Sequence, residues 1–500
     1  MKKIFSLVLL CIATLAAHAQ VERPRLVVGL VVDQMRWDYL YYYQDKYGEG
    51  GLKRLLAEGF SCDNQMLNYV PTVTGVGHAS IYTGSTPAGH GIAANDFYLD
   101  GKRIYCCDDP AVKGVGTTSK AGDMSPVNML GTTIGDQLRQ ATDFRSKVVG
   151  VALKDRASIL PAGHAANAAY WYDKSVGGFI TSTWYMDQLP AWVKKFNKSE
   201  CPKAGYDPKV HADGVTLTFK MAEAAIANEQ LGKTDGECDM LCVSVSSTDA
   251  ISHQTGTWFS PGKENEEVFL TLDRDLEGFL NTLDREIGKG QYLLFLTADH
   301  GGMHNPNTTK TRHLPGGYWD SGAAFEAINS TLATKYGISG KVIKDGISGN
   351  IYLDHELIAQ NKLCLDKVKQ DVIAELKKET KLQWVADCDN IESASMPQWV
   401  RERTINGYYR DRSGDIMVQT KPGYYEWKIA DDFYGSTHGA WNPYDTHIPL
   451  VFMGWHVKHG YTNRQTHMTD TAPTVCSMLH IQMPTACLGD AITEITDQKQ

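Results

Sequence analysis

The sequence has no excess of basic residues. Its 500 residues contain 49 lysines and arginines against 58 aspartates and glutamates, and the formal net charge at pH 7 is -9. A protein that neutralises nucleic-acid phosphates needs a basic surface, so we expect no nucleic acid as a dedicated partner. An anionic substrate should instead be attracted by charges inside its site, such as a metal ion.

Long apolar runs are absent after the N-terminus, which predicts a mature chain without a membrane span. The first residues are Met1-Lys2-Lys3, followed by a short apolar run from Ile4 to Ala17 and by Ala17-His18-Ala19. This pattern predicts a signal peptide over residues 1–19, cleaved after Ala19. We therefore expect an exported protein in the periplasm, with secretion as the alternative. A lipid anchor at Cys11 is disfavoured because Leu9-Leu10 precede it.

The sequence also lacks any CxxC pair, which argues against a thiolate zinc site. It has 11 cysteines, and removal of the signal peptide takes away Cys11. The ten that remain are an even number in an exported protein, which favours disulfides, although no pairing follows from the sequence. Repeats and low-complexity linkers are likewise absent.

Short runs rich in apolar and β-branched residues predict buried parallel strands. They are Leu26–Val32, Val148–Leu153, Leu241–Val245, Tyr292–Leu296 and Ile448–Phe452. Helical patterns lie between them, at Asp38–Gly59 and at Val268–Ile287, where apolar residues recur on one face. This alternation predicts an α/β fold with a doubly wound, mostly parallel central sheet and helices on both faces.

The alternation weakens between about residues 302 and 432. This stretch contains polar loops, aromatic pairs and one helical pattern near Leu363–Glu379. We interpret it as a cap or insertion within one catalytic domain over residues 20–500, and we expect a monomer.

Carboxylates follow three of the predicted strands. Asp33 follows the first, Asp249 comes shortly after the third, and Asp299 follows the fourth. Ligands bind beyond the carboxyl ends of the strands in open α/β sheets, so these side chains should meet at one edge.

Histidines accompany these carboxylates. Asp249 and His253 are four residues apart and face the same way on a helical turn, Asp299 is followed by His300, and His438 lies in a later loop. Oxygen and imidazole ligands together suit zinc. The set predicts a binuclear metal site.

The segment VPTVTGVGHASIYTG, residues 70–84, places the hydroxyl residue Thr74 at a glycine-rich turn. The start of the helix that follows offers free N–H groups and a positive dipole end, both suited to phosphate. Thr74 is a weak nucleophile by itself, and metal coordination is one way to activate it. The local sequence is also compatible with a simple helix cap at Thr74.

Six motifs together resemble the alkaline phosphatase superfamily: VVDQMRWD, PTVTGVGHASIYTG, ALKDRASILPAGH, STDAISHQTG, LTADHGG and THGAWNPYDTHIPL. They are similar to its branch with a threonine nucleophile, which includes nucleotide pyrophosphatase/phosphodiesterases and PafA-type bacterial alkaline phosphatases. The resemblance implies two Zn²⁺ ions and Thr74 as the nucleophile, forming a phosphothreonine. One zinc would be bound by Asp249, His253 and His438, and the other by Asp33, Asp299, His300 and Thr74.

Within this branch, Lys154 and Arg156 resemble the Lys-x-Arg pair that PafA-type enzymes place on phosphate oxygens, and Asn95 matches their phosphate-contacting asparagine. A monoester dianion offers more charged oxygens than a diester, which an ammonium and a guanidinium group would favour. The resemblance therefore implies a broad-specificity phosphomonoesterase that scavenges phosphate from small molecules.

Other functions stay open at this point. A phosphodiesterase or nucleotide pyrophosphatase on the same scaffold is the first alternative, and Lys154, Arg156 and Asn95 argue against it. A metal-stabilised surface binding protein would not need Thr74 as a nucleophile. His78 and His447 are interpreted as structural residues near the site.

Overall fold

The computed structural model describes residues 21–234, 236–427 and 432–497. The predicted signal peptide at residues 1–19 lies outside these residues. Within the described ranges, no helix combines the length and the apolar character needed to cross a bilayer.

A mixed sheet of ten strands forms the centre of the molecule. Its five middle strands are mutually parallel, and the strands of the two outer parts include antiparallel pairs. From one edge to the other the strands are Gly460–Thr462, Phe60–Cys62, Leu450–Gly454, Tyr292–Thr297, Leu26–Val32, Asp239–Val245, Val148–Ala152, Ala168–Asp173, Gly178–Ser182 and Gly114–Val115.

The middle strands are buried at every position, as in Leu26–Val32, Asp239–Val245 and Tyr292–Thr297. Successive side chains of a strand point to opposite faces, so both faces of the sheet must be covered. This explains why these segments are continuous apolar runs rather than alternating ones. The predicted α/β fold with a mostly parallel sheet is confirmed.

One predicted strand, Ile448–Phe452, is divided in the structure. His447–Ile448 belongs to a small sheet with Gln65–Met66 and Thr466–His467, whereas Leu450–Gly454 joins the central sheet. Pro449 lies between them and has no N–H for a sheet hydrogen bond. Leu450–Gly454 pairs antiparallel with Tyr292–Thr297, so the expectation of a parallel strand was wrong here.

The predicted helix Asp38–Gly59 was also wrong as one element. It forms two short helices, Tyr39–Tyr42 and Leu52–Glu58, because Gly48, Gly50 and Gly51 interrupt it. The described helices are Tyr39–Tyr42, Leu52–Glu58, Thr74–Thr83, Pro87–His90, Ile134–Ala141, Asp155–Ala162, Ala191–Ser199, Asp213–Glu229, Ser247–Thr255, Glu264–Leu283, Pro306–Lys310, Ser321–Tyr336, His355–Gln360, Leu365–Leu376, Gln398–Asn406, Pro443–Thr446, Thr471–Leu479 and Thr493–Thr496.

The stretch between residues 302 and 432 builds a second, smaller sheet and its own hydrophobic cluster. The four antiparallel strands are, in sheet order, Ile343–Ile347, Asn350–Leu353, Ile416–Thr420 and Leu382–Asp387. Helices Ser321–Tyr336 and Leu365–Leu376 contribute to the same cluster. Arg412 ties this stretch to the main body by donating hydrogen bonds to the carbonyls of Gly91 and Asn128, at 2.6 and 2.5 Å. Two further small sheets pair Gly317–Trp319 with Tyr424–Glu426 and Asp96–Leu99 with Lys102–Tyr105.

The expectation of disulfides is not met in the described chain. All ten cysteines of the predicted mature protein are free, and most are buried. Burial explains why the sequence contains so many cysteines without disulfides, since a free cysteine packs as a small apolar side chain. The buried thiols therefore contribute to the core as apolar groups and not as covalent links.

A glycine in the first central strand sets how closely the helix Thr74–Thr83 approaches the sheet. A Cβ on Gly29 would lie 2.3 Å from the hydroxyl oxygen of Tyr82 and 2.6 Å from Cζ of Phe295. All three residues are in the core, where rings have little room to move. The position of this helix therefore depends on the absence of a side chain at Gly29.

Gly29→Ala should destabilise the protein by about 1–3 kcal/mol, because it overpacks this contact. Gly278→Ala is the matched control. Gly278 lies within helix Glu264–Leu283 with open space around its Cα, so alanine should stabilise the helix by up to about 1 kcal/mol. Chemical denaturation of both variants measures the two effects, and equal stability of the two would contradict this account.

Candidate active site

The ends of three adjacent central strands place acidic residues at one edge of the sheet. Asp33 follows Leu26–Val32, Asp299 follows Tyr292–Thr297, and Asp249 lies on the helix that follows Asp239–Val245. The three carboxylates are almost completely buried, at 0%, 0% and 3% exposure. The structure therefore brings together the carboxylates that the sequence placed at this edge.

Asp33, Asp299 and His300 form one group of possible metal ligands, with one donor atom of each within 4.8 Å of the others. His300 Nε2 lies 3.6 Å from Asp33 Oδ1 and 3.5 Å from Asp299 Oδ2. These three atoms are buried, and none makes a hydrogen bond of good geometry among the described residues, although His78 Nδ1 lies 3.2 Å from Asp299 Oδ2. Three converging ligand atoms buried in this way would cost free energy without a cation, and their arrangement suits the binding of one.

Asp249, His253 and His438 form a second such group. Asp249 Oδ1 lies 3.1 Å from His253 Nε2 and 3.6 Å from His438 Nε2, and the two Nε2 atoms are 3.3 Å apart. Helix Ser247–Thr255 presents Asp249 and His253 one turn apart, as the i, i+4 spacing requires. His438 comes from a distant loop, so only the fold unites this group.

Backbone carbonyls orient all three imidazole rings. Nδ1 of His253 lies 2.9 Å from the oxygen of Ser436, Nδ1 of His300 lies 2.9 Å from that of Gly301, and Nδ1 of His438 lies 2.7 Å from that of Thr72. A carbonyl only accepts, so each Nδ1 carries a proton and each Nε2 is directed into the site. Burial lowers the pKa of His253, but Asp249 raises it more, so a proton on this Nε2 competes with a metal ion.

Burial lowers the pKa of His300, and it lowers the pKa of His438 well below its usual value. Both rings are therefore neutral at pH 7, which is the form that binds a metal ion. Together with the hydrogen bonds to Nδ1, these shifts prepare the two Nε2 atoms as ligands.

Lys154 lies between the two ligand groups. It is 8% exposed, and its Nζ is 2.6 Å from Asp33 Oδ2 and 2.5 Å from Asp249 Oδ2. Burial lowers the pKa of Lys154, but Asp249 and Asp33 raise it more, so the net shift is upward. Lys154 follows strand Val148–Ala152, the neighbour of Asp239–Val245, which explains how its ammonium reaches both carboxylates.

Thr74 is the first residue of the buried helix Thr74–Thr83 and is 1% exposed. Nδ1 of His78, one turn later, lies 2.9 Å from the carbonyl oxygen of Thr74 and 3.2 Å from Asp299 Oδ2. A Cβ on Gly77 would lie 2.3 Å from the carbonyl oxygen of Asp299. The helix therefore packs directly against the first ligand group, and Thr72 holds His438 of the second.

Asn95 and Arg156 border the start of this helix. Asn95 Oδ1 accepts a hydrogen bond of 2.8 Å from the N–H of Gly75. A Cβ on Gly75 would approach both Asn95 and the Cδ of Arg156, at 3.1 and 3.7 Å. Arg156 donates to the hydroxyl of Tyr105 at 3.0 Å, and Tyr105 in turn donates to Asp155. Every predicted site residue thus lies at or beside one edge of the sheet.

Sequence reasoning missed several residues that position this site. Gln34 has a left-handed backbone with φ of 62°, donates from its side chain to Asp249 Oδ1 at 2.5 Å, and donates from its backbone to Asp299 Oδ1 at 3.1 Å. Tyr105 was also missed, because nothing in its local sequence distinguishes it. The one available sequence signal for Gln34 was its position, since it is a polar residue that directly follows Asp33 at the end of a strand.

The remaining histidines near the motifs have other contacts. His447 Nε2 lies 2.9 Å from the carbonyl of Asp63, and its ring stacks on Trp37. His304 contacts Thr257 and Arg36. These contacts give His447 and His304 structural partners away from the two ligand groups.

Residues 27–441 match the family described as type I phosphodiesterase / nucleotide pyrophosphatase. The chain is 44% identical to alkaline phosphatase PafA of Elizabethkingia meningoseptica, over 95% of each protein. It is 42% identical to alkaline phosphatase PhoV of Synechococcus elongatus, over 95% of this chain and 93% of that protein. A Myroides odoratus protein named calcium-transporting ATPase is 44% identical over 96% of each.

The fold is similar as well. The crystal structure of wild-type PafA aligns with a TM-score of 0.89 at 44% identity, covering 95% of this chain and 99% of that one. Family match, sequence identity and fold thus agree over almost the whole chain. The chain belongs to the type I phosphodiesterase / nucleotide pyrophosphatase family of the alkaline phosphatase superfamily, on the branch of PafA-like alkaline phosphatases.

Proposed function

We propose that this protein is a metal-dependent phosphomonoesterase with Thr74 as its nucleophile. One observation carries the proposal: Thr74 starts a buried helix that packs against Asp299 of one ligand group, while its neighbour Thr72 orients His438 of the other. A hydroxyl beside two sites for divalent cations is the arrangement that in-line phosphoryl transfer needs. The relatives named alkaline phosphatases support this reaction class.

Zinc is the ion we propose for both groups. The donors are carboxylate oxygens and imidazole nitrogens, three from each group, which leaves a fourth position at each ion for Thr74 or for substrate. Two bound zinc ions would activate the threonine hydroxyl and neutralise charge on the phosphate. Three carboxylates against two divalent ions leave the site positive inside an acidic protein.

Thr74 then attacks phosphorus. The Thr74 Oγ1–P bond forms as the bond from phosphorus to the leaving oxygen breaks, which gives a phosphothreonine and a free alcohol. Water hydrolyses this ester and restores Thr74. The positive end of the helix dipole stabilises the negative oxygens during both steps.

Lys154, Arg156 and Asn95 are the proposed phosphate-binding residues. The side chains of Asn95 and Arg156 lie at the start of helix Thr74–Thr83, where a phosphate on Thr74 would be, and the ammonium of Lys154 lies between the two ligand groups. A variant of PafA altered at a threonine, an asparagine, a lysine and an arginine has been crystallised. Its threonine and asparagine are as far apart in sequence as Thr74 and Asn95, and its lysine and arginine are separated by one residue, as here.

The second candidate function is a phosphodiesterase, which the description of the matched family favours. The phosphomonoesterase and phosphodiesterase proposals differ in the role they require of Lys154. Here its ammonium is paired with Asp33 and Asp249. Metal ions at these carboxylates would compete for that pairing and leave Lys154 available to the extra charge of a monoester.

We further propose that the protein is exported, because residues 1–19 have the pattern of a signal peptide. Broad use of small phosphomonoesters would then serve phosphate scavenging. Mass spectrometry of the N-terminus of the exported protein should find Gln20, and an intact Met1 would contradict export.

The purified protein should contain two zinc ions per chain by elemental analysis. Asp299→Asn and His253→Ala should each reduce the content to about one, because each removes a ligand from a different group. His459→Ala, which changes an exposed histidine outside both groups, is the control. Loss of both ions in either variant would argue for one shared site.

Thr74→Ala should lower kcat/KM for p-nitrophenyl phosphate at least about a thousandfold, because it removes the nucleophile. Thr74→Ser should retain measurable activity, since it keeps a hydroxyl at the same position. Zinc content should not change in either variant. Wild-type turnover by Thr74→Ala would rule out the phosphothreonine.

The double variant Lys154→Ala/Arg156→Ala should lose about a hundredfold more kcat/KM on p-nitrophenyl phosphate than on bis-p-nitrophenyl phosphate. The reason is that it removes contacts to oxygens that carry more charge in a monoester. Lys174→Ala/Arg274→Ala alters two exposed residues, 64% and 66% exposed, and is the matched control. Equal losses on both substrates would refute the discriminating role.

A further inference from the structure

The guanidinium of Arg156 has a donor left over for a ligand. A guanidinium has several N–H donors and no acceptor. Nη1 donates to the hydroxyl oxygen of Tyr105 at 3.0 Å, whereas Nε is buried and has no hydrogen-bond partner among the described residues. Cδ, which is bonded to Nε, would lie 3.7 Å from a Cβ on Gly75, the residue after Thr74. The unpaired donor is therefore close to the start of helix Thr74–Thr83, where the proposed phosphate would be.

Tyr105 fixes the direction of this guanidinium. Its hydroxyl accepts from Arg156 and donates to Asp155 Oδ1 at 2.5 Å. Burial raises the pKa of Tyr105 well above its usual value, so the hydroxyl keeps the proton that it donates. Because that proton is directed to Asp155, the oxygen offers only lone pairs to Arg156.

Asp155 competes for the same guanidinium. Its Oδ1 lies 4.0 Å from Nη1 of Arg156, which is too long for a hydrogen bond. The hydroxyl of Tyr105 links the two groups and keeps them apart. Without the hydroxyl, a direct pair of Asp155 and Arg156 becomes favourable, since a hydrogen bond between two charged groups is strong. Such a pair would offset the positive charge of the guanidinium and draw it away from the helix start.

One hairpin presents Tyr105 together with Asn95. Its two short strands, Asp96–Leu99 and Lys102–Tyr105, pair antiparallel. The N–H of Cys106 donates to the carbonyl oxygen of Asn95 at 2.8 Å, which closes the base of the hairpin. One proposed phosphate contact and the residue that holds another therefore occupy neighbouring positions in the fold.

The cavity beside His438 supplies no further cation. It has a volume of about 560 Å³, and its walls come from the loop around His438 and from the stretch between residues 302 and 432. Its described lining contains neither lysine nor arginine, and its acidic and aromatic residues are Asp320, Glu426, Asp445, Trp319, Tyr424 and Trp427. Recognition of the extra charge of a monoester is therefore left to the proposed contacts, and it depends on how Arg156 is held.

We propose that Tyr105 is a positioning residue that sets the preference for monoesters through Arg156. Its hydroxyl directs the guanidinium toward the phosphate and prevents a direct pair with Asp155. This inference rests on the proposed phosphomonoesterase function and on Arg156 as a phosphate contact. Tyr105 itself forms no bond to the substrate, since it acts only on the charge that faces the transferred group.

Two other roles fit Tyr105 less well. A general acid would have to give its proton to the leaving oxygen, but this proton is donated to Asp155, and the raised pKa opposes its loss. A purely structural role would make the hydroxyl important for folding, and its removal would then affect every substrate equally.

Tyr105→Phe in the zinc-loaded, full-length mature protein should lower kcat/KM for p-nitrophenyl phosphate about tenfold, because it removes a hydrogen bond to a charged group. The loss on bis-p-nitrophenyl phosphate should stay below about twofold, since a diester carries less charge. Phenylalanine keeps the ring, whose centroid lies 5.9 Å from Cζ of Arg156, so folding should tolerate the change. Tyr98→Phe is the matched control and should leave the ratio unchanged, because its hydroxyl, on the same hairpin, donates to Asp345.

Two double variants show whether the effect passes through Arg156. In an Arg156→Ala background, Tyr105→Phe should cause no further loss on p-nitrophenyl phosphate, because the group that it positions is gone. In an Asp155→Asn background, the loss should shrink from about tenfold to about twofold, because the competing carboxylate is gone. Each double variant is compared with its own single variant, so any separate effect of Asp155 or Arg156 cancels.

The outcomes separate the positioning role from the reaction. An equal loss from Tyr105→Phe with and without Arg156, or an equal loss on both substrates, would overturn the inference and leave the proposed function standing. An undiminished loss in the Asp155→Asn background would also overturn it, because the carboxylate would then not compete. Wild-type kcat/KM in Arg156→Ala would contradict Arg156 as a phosphate contact, and failure of the wild-type protein to hydrolyse p-nitrophenyl phosphate would contradict the proposed function itself.

Discussion

Three carboxylates buried at the end of one sheet are the constraint on which this structure depends. Asp33, Asp249 and Asp299 are removed from water and close enough to repel one another. Burial, Asp249 and Asp299 raise the pKa of Asp33 well above its usual value. Such a cluster costs free energy unless positive charge lies within it. The converging imidazole lone pairs and the ammonium of Lys154 identify the site as a place for cations.

The rest of the fold provides the rigidity that this cluster needs. Parallel strands buried on both faces fix the chain positions from which the ligands extend. Glycines then allow the helix Thr74–Thr83 to approach: Gly29 permits its contact with the sheet, and Gly77 permits its contact with Asp299. Backbone carbonyls fix the imidazole rings, so the ligand groups are shaped before any ion binds. The position of Thr74 beside the ligand groups therefore follows from packing.

The stretch between residues 302 and 432 completes the site from the other side. It has its own sheet and hydrophobic cluster, so the cavity walls that it forms are supported independently of the candidate metal ligands. Its aromatic and acidic side chains form a cavity beside His438 whose charge is opposite to that expected for a phosphate site.

The sequence by itself determined the α/β class, four of the five principal strands nearly to the residue, and the members of the two candidate ligand groups, because strand ends and short motifs are local patterns. The apolar patterns failed where a local break outweighed them, since Pro449 divides one predicted strand and glycines divide a predicted helix. The expectation of disulfides failed because the folded chain leaves the cysteines unpaired, most of them buried. Only the tertiary structure could show Lys154 between Asp33 and Asp249, Gln34 on Asp249, or a cavity built from two separate segments. Those contacts join residues far apart in sequence, and their geometry is set by packing that no single segment specifies.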